Sequence, residues 1–440
     1  MHLANLTTAG IKRFFVFTTT LFFYTALFAQ DNSPYSRYGL GDVSPGQNII
    51  NRSMGGISAG YADLFSLNFA NPASLGNIRK AVFDLGGDID RRTLKSNASP
   101  EKYTATNTYI SYLQFGVPVA SRKMLQKGIS WGFSFGLKPQ TQINYKIENR
   151  SRLNGIDSLH TNYEGSGGLN QVILNTGVKI KNFSFGLTGG YSFGNKDYST
   201  RLNFINDTVL YARSNTATKS TFGGAFINAG LQYDIKTTAG ILRLGSYANL
   251  SHKLKAKESV INETFTFNGN GELQTIDTVA YRPEVRGEIT YPATYGFGFT
   301  NITKNWVYGA DFETTGWNNY RYYQMKDLVQ NSWRVKAGAQ FAPYKDAAER
   351  RYFYLVQYRA GAYLGRDMVN IGDAKRSEYG ITLGAGLPLT TQRYDFALLN
   401  LGAEFGTRGN KQSKSIRENL IRLSVGITIN ATWFQKRKYD

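Results

Sequence analysis

Apolar and polar residues alternate along the last stretch of the chain, at 421–433. Every second position there is apolar or small: Ile421, Leu423, Val425, Ile427, Ile429, Ala431 and Trp433. A period of two places these residues on one face of a β-strand and the polar residues between them on the other. An unpaired edge strand of this kind invites aggregation. The pattern therefore predicts a strand that is paired within a larger sheet.

Similar alternating stretches follow Lys80, and they predict fourteen strands. The strands are expected to begin near Ala81, Asn107, Gly128, Gly168, Asn182, Ser220, Gly240, Ala293, Asn305, Asn331, Tyr352, Glu378, Arg393 and Glu418. In the tenth strand Val335 would face outward, with Arg334 and Lys336 inward. An inward position spares a charged side chain the cost of contact with hydrocarbon. The charges expected to face the lumen are Arg334, Lys336, Arg359, Glu404 and Arg422.

The predicted connections alternate in length, which is a second indication of a barrel. Those after even-numbered strands are short, as at Lys181 and at 301–304. Those after odd-numbered strands are long, as at 148–166, 195–219 and 255–292, and the last two contain alternating runs that predict hairpins above the membrane. Short periplasmic turns and long extracellular loops are typical of outer-membrane barrels. The predicted fold is all-β: a transmembrane antiparallel β-barrel of about 14 strands, with its apolar face toward lipid.

Composition narrows the class of protein further. Hydrophobic residues make up 41% of the 440-residue chain and the mean hydropathy is −0.35. These values exclude a bundle of transmembrane helices but not a barrel, because half of each barrel strand is polar. The chain has no cysteine, so disulfides and thiolate metal sites are excluded. Its formal charge is +20, but the basic residues are scattered, so we expect lipid phosphates rather than nucleic acid as partners.

The first 30 residues have the features of a secretory signal peptide. Lys12 and Arg13 form a positive region, an apolar run follows at 14–28, and cleavage is expected near Gln30. The sequence thus divides into a signal peptide at 1–30, an N-terminal segment at 31–80 and a barrel at 81–440. Export of this kind predicts a location in the outer membrane of a Gram-negative bacterium.

The segment at 31–80 is rich in Gly, Asn and Ser and lacks strand alternation. It contains the run Met54-Gly55-Gly56-Ile57-Ser58-Ala59-Gly60 and, further on, Asn71-Pro72-Ala73. The glycines allow tight backbone turns, and Pro72 fixes another. The two motifs together resemble the N-terminal hatch of the FadL-type outer-membrane transporters. The resemblance extends over nearly all of the chain after residue 30.

This resemblance implies a fourteen-stranded barrel that is plugged by residues 31–80. The hatch motif residues are Gly55, Gly56, Gly60, Asn71, Pro72 and Ala73. Several members of the family pass hydrophobic molecules. The barrel that carries cargo in type IX secretion belongs to the same broad group. A plug filling the lumen is therefore expected with or without transport.

Pro139 interrupts the third predicted strand, before Ile143 and Tyr145 resume its alternation. Proline cannot donate to a strand ladder, so it opens the pairing or creates a bulge. The resemblance gives this position a functional interpretation, because the fatty-acid transporters have a kink in their third strand that opens a lateral exit into the membrane. Alternatively, Pro139 only marks the upper end of the strand.

Few residues could support catalysis. His160 is expected in an external loop and His252 near the rim of the seventh strand, and the sequence identifies no partner for either as a metal ligand or a base. Asp84 and Asp88 share one strand face and are expected to line the lumen. We therefore predict no enzyme activity, no cofactor and no metal site.

Two functions of different classes remain open. The first is a conduit for hydrophobic or amphipathic small molecules. A basic lumen would attract the carboxylates of such ligands. Charges that are simply solvated in the lumen would, however, produce the same sequence pattern of inward charged residues. The second is a non-conducting barrel that serves as an anchor or subunit of an outer-membrane secretion or assembly complex. The expected partners are outer-membrane lipid, a hydrophobic ligand and other outer-membrane proteins. The sequence identifies no ligand-binding residue.

Overall fold

The computed structural model describes residues 33–96, 102–153, 157–205, 211–343, 351–371, 376–391, 396–410 and 416–431. The strands within them are β1 Asp42–Val43, β2 Ala81–Lys95, β3 Lys102–Pro118, β4 Ile129–Leu153, β5 Asp157–Ile180, β6 Phe183–Ile205, β7 Arg213–Thr237, β8 Gly240–Asn249, β9 His252–Phe267, β10 Leu273–Tyr291, β11 Thr294–Ile302, β12 Trp306–Thr315, β13 Arg321–Tyr322, β14 Ser332–Phe341, β15 Gln357–Arg366, β16 Ser377–Thr391, β17 Phe396–Arg408 and β18 Arg417–Ala431. The predicted signal peptide lies outside the described residues, as do Trp433 and the C-terminal end.

The helices are short and lie between the strands. They are α1 Ile49–Arg52, α2 Arg122–Gln126 and α3 Tyr352–Leu355, with 3-10 helices at Pro34–Arg37, Pro72–Asn77 and Trp317–Asn319. In the ranges given above, no helix has both the length and the apolar character that a membrane crossing requires.

Fourteen of the strands close into an antiparallel barrel. Strands adjacent in sequence pair with each other, except that β8 pairs with β11 and β12 pairs with β14. The barrel closes between β18 and β2, from Arg417 opposite Lys95 to Ala431 opposite Ala81. Closure removes the exposed edge that the alternating last strand would otherwise present. The predicted fold class is therefore confirmed.

Alternation along the strands separates an outer apolar face from an inner polar face. On β14 the Val335 side chain is 40% exposed, whereas that of its neighbour Lys336 is 1% exposed. On β18 the same contrast holds between Val425, which is 42% exposed, and Thr428, which is fully buried. An apolar exterior with polar residues inside is the arrangement that a lipid environment requires of a barrel.

The strand bounds differ from the predicted ones where strands continue beyond the membrane. Strand β5 begins at Asp157 rather than near Gly168, because β4 and β5 extend as a hairpin through the region expected to be a loop. The eleventh barrel strand, β15, begins at Gln357, because Tyr352–Leu355 forms α3 instead of a strand end. Alternation alone does not show where a strand leaves the membrane, so it misplaces such ends.

The two ends of the barrel differ, and we name them by their connections. At the short-turn end, strands are joined by connections such as 181–182, 238–239 and 303–305. At the hairpin end, β9 and β10 form the expected hairpin. Strand β9 also extends the wall, because it pairs with residues 213–223 of β7. An apolar cluster covers the lumen at this end: Tyr35, Leu40, Leu169, Phe222, Leu254, Ala256, Ile289, Tyr291, Trp317, Tyr320, Met368 and Val369.

Candidate functional site: the N-terminal segment and the gap beside Pro139

The described part of the N-terminal segment, residues 33–80, packs against the inner face of the wall. Helix α1 begins after Asn48, whose side chain accepts a hydrogen bond from the Asn51 backbone N–H at 2.9 Å. The helix directs Arg52 to Asp88 on β2, and the two guanidinium nitrogens donate to the carboxylate at 2.5 and 2.8 Å. Burial alone would lower the pKa of Arg52, but the charge of Asp88 raises it. The pair holds this part of the segment to the wall.

A first close contact joins Gly55 to two neighbouring wall strands. A β-carbon added at Gly338 on β14 would lie 2.1 Å from the carbonyl oxygen of Met54. One added at Gly361, which is opposite Gly338 on β15, would lie 2.2 Å from the backbone nitrogen of Gly55. Gly55 itself has φ of 69° and so adopts a backbone conformation that favours glycine. Only paired wall glycines leave room for this turn.

A second close contact surrounds Gly60. The carboxylate of Asp311 on β12 accepts hydrogen bonds from the backbone N–H groups of Ser58 at 2.5 Å and Ala59 at 2.8 Å. On the other side, a β-carbon at Gly245 would lie 1.9 Å from the carbonyl oxygen of Ala59. The sequence did not point to Asp311, because its role depends on which strand faces residues 58–60. The only sequence feature that distinguishes Asp311 is that it is an acidic residue at an inward-facing strand position.

A third close contact involves Asn71, Pro72 and Ala73. The Asn71 side-chain amide donates to the carbonyl oxygen of Ala59 at 2.7 Å, while its oxygen accepts from the Ala73 N–H at 3.1 Å and caps the 3-10 helix. This motif therefore joins the second contact to the third. Wall glycines lie in register beneath it on four adjacent strands: Gly132, Gly177, Gly186 and Gly230. A β-carbon at Gly186 would lie 2.2 Å from the Pro72 carbonyl carbon.

The five charges predicted to face the lumen all lie among polar partners. Lys336, Arg359 and Arg422 are buried. Arg334 contacts Glu378 at 2.6 Å, Lys336 contacts Glu313 at 2.9 Å, Arg422 contacts Asp90 at 2.6 Å and Glu404 at 2.9 Å, and Arg359 donates to Asn400 at 2.8 Å. Arg334, Lys336 and Arg422 are therefore paired with carboxylates, whereas Arg359 bonds only neutral amides among the described residues. These contacts hold the strands together.

The wall has a gap where β3 and β4 separate. The two strands pair from Pro118 opposite Gly132 up to Leu113 opposite Leu137, and the described pairing ends there. Pro139 follows two residues later, and the register of β4 against β5 shifts between Pro139 and Thr141. A proline at this point explains the separation, because it gives β3 no N–H to pair with and is accompanied by a bulge.

The gap opens on the outer face as an apolar groove. Its cavity has a volume of about 350 Å³. Ile110, which is 65% exposed, lies on one side, and Pro139 lies on the other. The remaining lining residues are Leu85, Tyr109, Tyr112, Leu113, Leu137, Thr141, Gln142, Gly167, Gly168 and Asn170. The groove is thus accessible from the lipid-facing side of the barrel.

On the lumen side the N-terminal segment closes the same gap. Strand β1 pairs with β4 there, with Asp42 opposite Gln142 and Val43 opposite Thr141. The amide of Asn107 on β3 donates to Gln142 at 3.2 Å and bridges the separated strands. Burial alone would raise the pKa of Asp42, but the charges of Arg92 and Arg408 lower it overall. Asp42 is therefore a carboxylate that holds β1 in the wall.

The two candidate histidines lie at the hairpin end. The Nε2 atom of His252 is 3.5 Å from the Ser192 hydroxyl, and its ring packs between Phe226 and Tyr291. Burial lowers the pKa of His252. His160 lies on β5, 3.5 Å from Glu148. Among the described residues, no group of three or more potential metal ligands occurs.

Comparison with protein families identifies the chain. The model of the BamG family matches residues 10–440. The chain belongs to the BamG family. No curated protein matches it.

Solved structures with the same fold are FadL-type barrels. The CymD monoaromatic hydrocarbon channel is 12% identical, with 90% of this chain and 99% of that one covered and a TM-score of 0.52. The Pseudomonas putida toluene transporter TodX is 14% identical, with 89% and 100% covered and a TM-score of 0.55. A Pseudomonas aeruginosa FadL homologue is 13% identical, with 90% and 100% covered and a TM-score of 0.53. At this identity the likeness establishes the fold, and it confirms the FadL-type resemblance at that level.

Proposed function

We propose that this BamG-family barrel is a gated conduit for hydrophobic molecules in the outer membrane of a Gram-negative bacterium, with its short-turn end toward the periplasm. The route we propose leaves the lumen sideways, through the gap between β3 and β4. The apolar groove beside Pro139 is the observation that carries the proposal, because it gives a hydrophobic molecule a way out of the wall into lipid. The toluene transporters with the same fold support this class of substrate.

Opening such a route requires β1 to move. In the described conformation β1 and the Asn107–Gln142 bridge separate the groove from the lumen. Releasing β1 breaks its short backbone pairing at Asp42 and Val43 and also the contacts of the Asp42 carboxylate with Arg92 and Arg408. The three close contacts at 54–73 involve other residues and can remain in place while β1 moves. The N-terminal segment would then act as a gate at one end and as a fixed plug at the other.

Replacing Pro139 with valine is expected to slow uptake of a long-chain fatty acid several-fold in liposomes that contain the purified barrel. Valine restores a backbone N–H and favours extended structure, so β4 can pair with β3 beyond Leu137 and narrow the groove. Pro118→Val, at the far end of β3, is the matched control and should leave uptake unchanged. Equal uptake by the wild-type and Pro139→Val proteins would refute the lateral route.

A second candidate function is supported by the contacts of the N-terminal segment. The plug is fixed at three places against wall glycines, Arg334, Lys336 and Arg422 form ion pairs on the inner face, and a buried apolar cluster lies at the hairpin end. These features suit a non-conducting barrel that acts as an anchor or subunit of an outer-membrane assembly. Under this alternative, the intact protein neither conducts nor transports, deletion of residues 31–80 alone produces conductance, and mild-detergent purification recovers protein partners.

A further inference from the structure

Exposed basic residues surround the short-turn end of the barrel. We call this set the basic ring: Arg79, Arg122, Lys123, Lys127, Lys181, Lys236 and Lys304, all of which are exposed. They lie at the start of β2 and in or beside the connections β3–β4, β5–β6, β7–β8 and β11–β12. The ring therefore extends along much of the circumference rather than forming one compact patch.

Among the described residues, no ion pair joins a member of the basic ring to a carboxylate. Within three residues of its members along the chain, the only carboxylate is Asp234, which is buried and contacts Lys179 and Arg243 instead. Exposed lysines at the hairpin end differ in this respect. Lys253 contacts Glu288 at 2.8 Å and Lys257 contacts Glu284 at 3.0 Å. The charges of the described ring members are thus available to an external anion.

Aromatic side chains place the basic ring at the level of lipid headgroups. Trp131, Phe183, Tyr233 and Trp306 are 40–48% exposed, and each lies within four residues of a ring member. Exposed aromatic residues of this kind form the girdle that marks the boundary between hydrocarbon and headgroups. Residues one step further toward the turns therefore meet the phosphate layer. Lysine and arginine at that depth interact favourably with anionic lipid.

We propose that the basic ring binds the phosphate groups of anionic phospholipids in the leaflet at the short-turn end. Phospholipids surround a barrel on all sides, which fits a ring better than a single protein partner does, because one protein would contact one arc. The proposal is independent of transport, and it assigns a role to part of the chain's net positive charge. It predicts a shell of anionic lipid that remains with the protein in a mixed membrane.

The test uses the full barrel in nanodiscs made of equal amounts of phosphatidylglycerol and phosphatidylcholine. The ring variant carries Lys127→Gln, Lys181→Gln, Lys236→Gln and Lys304→Gln. The control carries Lys146→Gln, Lys253→Gln, Lys255→Gln and Lys257→Gln at the hairpin end, which removes the same charge. Native mass spectrometry counts the lipids retained by each protein, and heat-modifiable migration on gels verifies that each barrel is folded.

The wild-type and control proteins should retain phosphatidylglycerol preferentially. The preference of the ring variant for phosphatidylglycerol over phosphatidylcholine should be at least about fivefold weaker than that of the wild-type protein. A factor of about five is expected for the loss of one cation near an anionic surface. High salt should weaken the wild-type preference, because the contacts are exposed. Absence of any preference in the wild-type protein, or an equal loss in both variants, would overturn the proposal. Displacement of the lipid by millimolar inorganic phosphate would assign the ring to free phosphate instead.

Discussion

Replacing Gly338 with valine is expected to displace the turn at 54–56 and to increase the ion conductance of the barrel in planar bilayers. The added β-carbon would lie 2.1 Å from the Met54 carbonyl oxygen, so the turn has to move by about 1 Å to restore normal contact. Gly361 faces the same turn from the next strand, and the backbone therefore has little room to adjust. Overpacking of this kind costs about 1–3 kcal/mol.

Gly189→Val is the control for this experiment. Gly189 lies on β6 and is exposed, and a β-carbon there would have no atom within 4 Å. Because valine favours strands, both substitutions should leave the barrel itself folded. Conductance should therefore increase for Gly338→Val alone. A silent Gly338→Val barrel would mean that the turn can move without opening a passage, and that the plug is closed elsewhere.

The barrel could be predicted from sequence because its determinants are local. Each strand carries its own alternation, as Val335 and Lys336 show on β14, and the connection lengths fix which ends lie together. The closing pair of strands, β18 and β2, is far apart in the chain, but closure follows once every strand has a polar and an apolar face. The number of strands could therefore be predicted without knowledge of any specific contact.

The contacts of the N-terminal segment could be predicted only in part. The resemblance drew attention to Gly55, Gly60 and Asn71, but not to the wall residues that meet them. Gly338 and Asp311 are one glycine and one aspartate among many, and their roles follow from strand register and from how the segment crosses the lumen. Neither is encoded by a local pattern. Pairing between β1 and β4 was missed for the same reason, because a two-residue strand leaves no periodic signal.

The wall glycines also explain how a narrow lumen can hold a folded segment. Gly132, Gly177, Gly186 and Gly230 form one row across β4 to β7, and the 3-10 helix Pro72–Asn77 packs against part of that row. Backbone then contacts backbone without intervening side chains. Such contacts are short and resist small displacements. Movement of the segment is therefore expected to begin at β1, which lies outside the row.

Asp88→Asn is expected to loosen helix α1 and to increase hydrogen exchange at its amides about a hundredfold or more. Asparagine keeps the size of the side chain but removes the negative charge, so the Arg52 guanidinium remains buried without a counterion. Removing one partner of a buried pair costs about 3–5 kcal/mol. The amides of Arg52 and Ser53, which donate to Asn48 and Ile49, report the opening of the helix directly.

Two further variants separate the lost charge from general damage. Asp277→Asn makes the same substitution at an exposed position of β10 and should leave exchange in α1 unchanged. The double variant Arg52→Met, Asp88→Leu removes both charges, and replacing a whole buried pair with apolar groups costs much less than breaking it. Its α1 amides should therefore exchange more slowly than those of Asp88→Asn. If the double variant exchanges as fast as the single one, hydrogen-bond geometry rather than an uncompensated charge controls how tightly α1 is held to the wall.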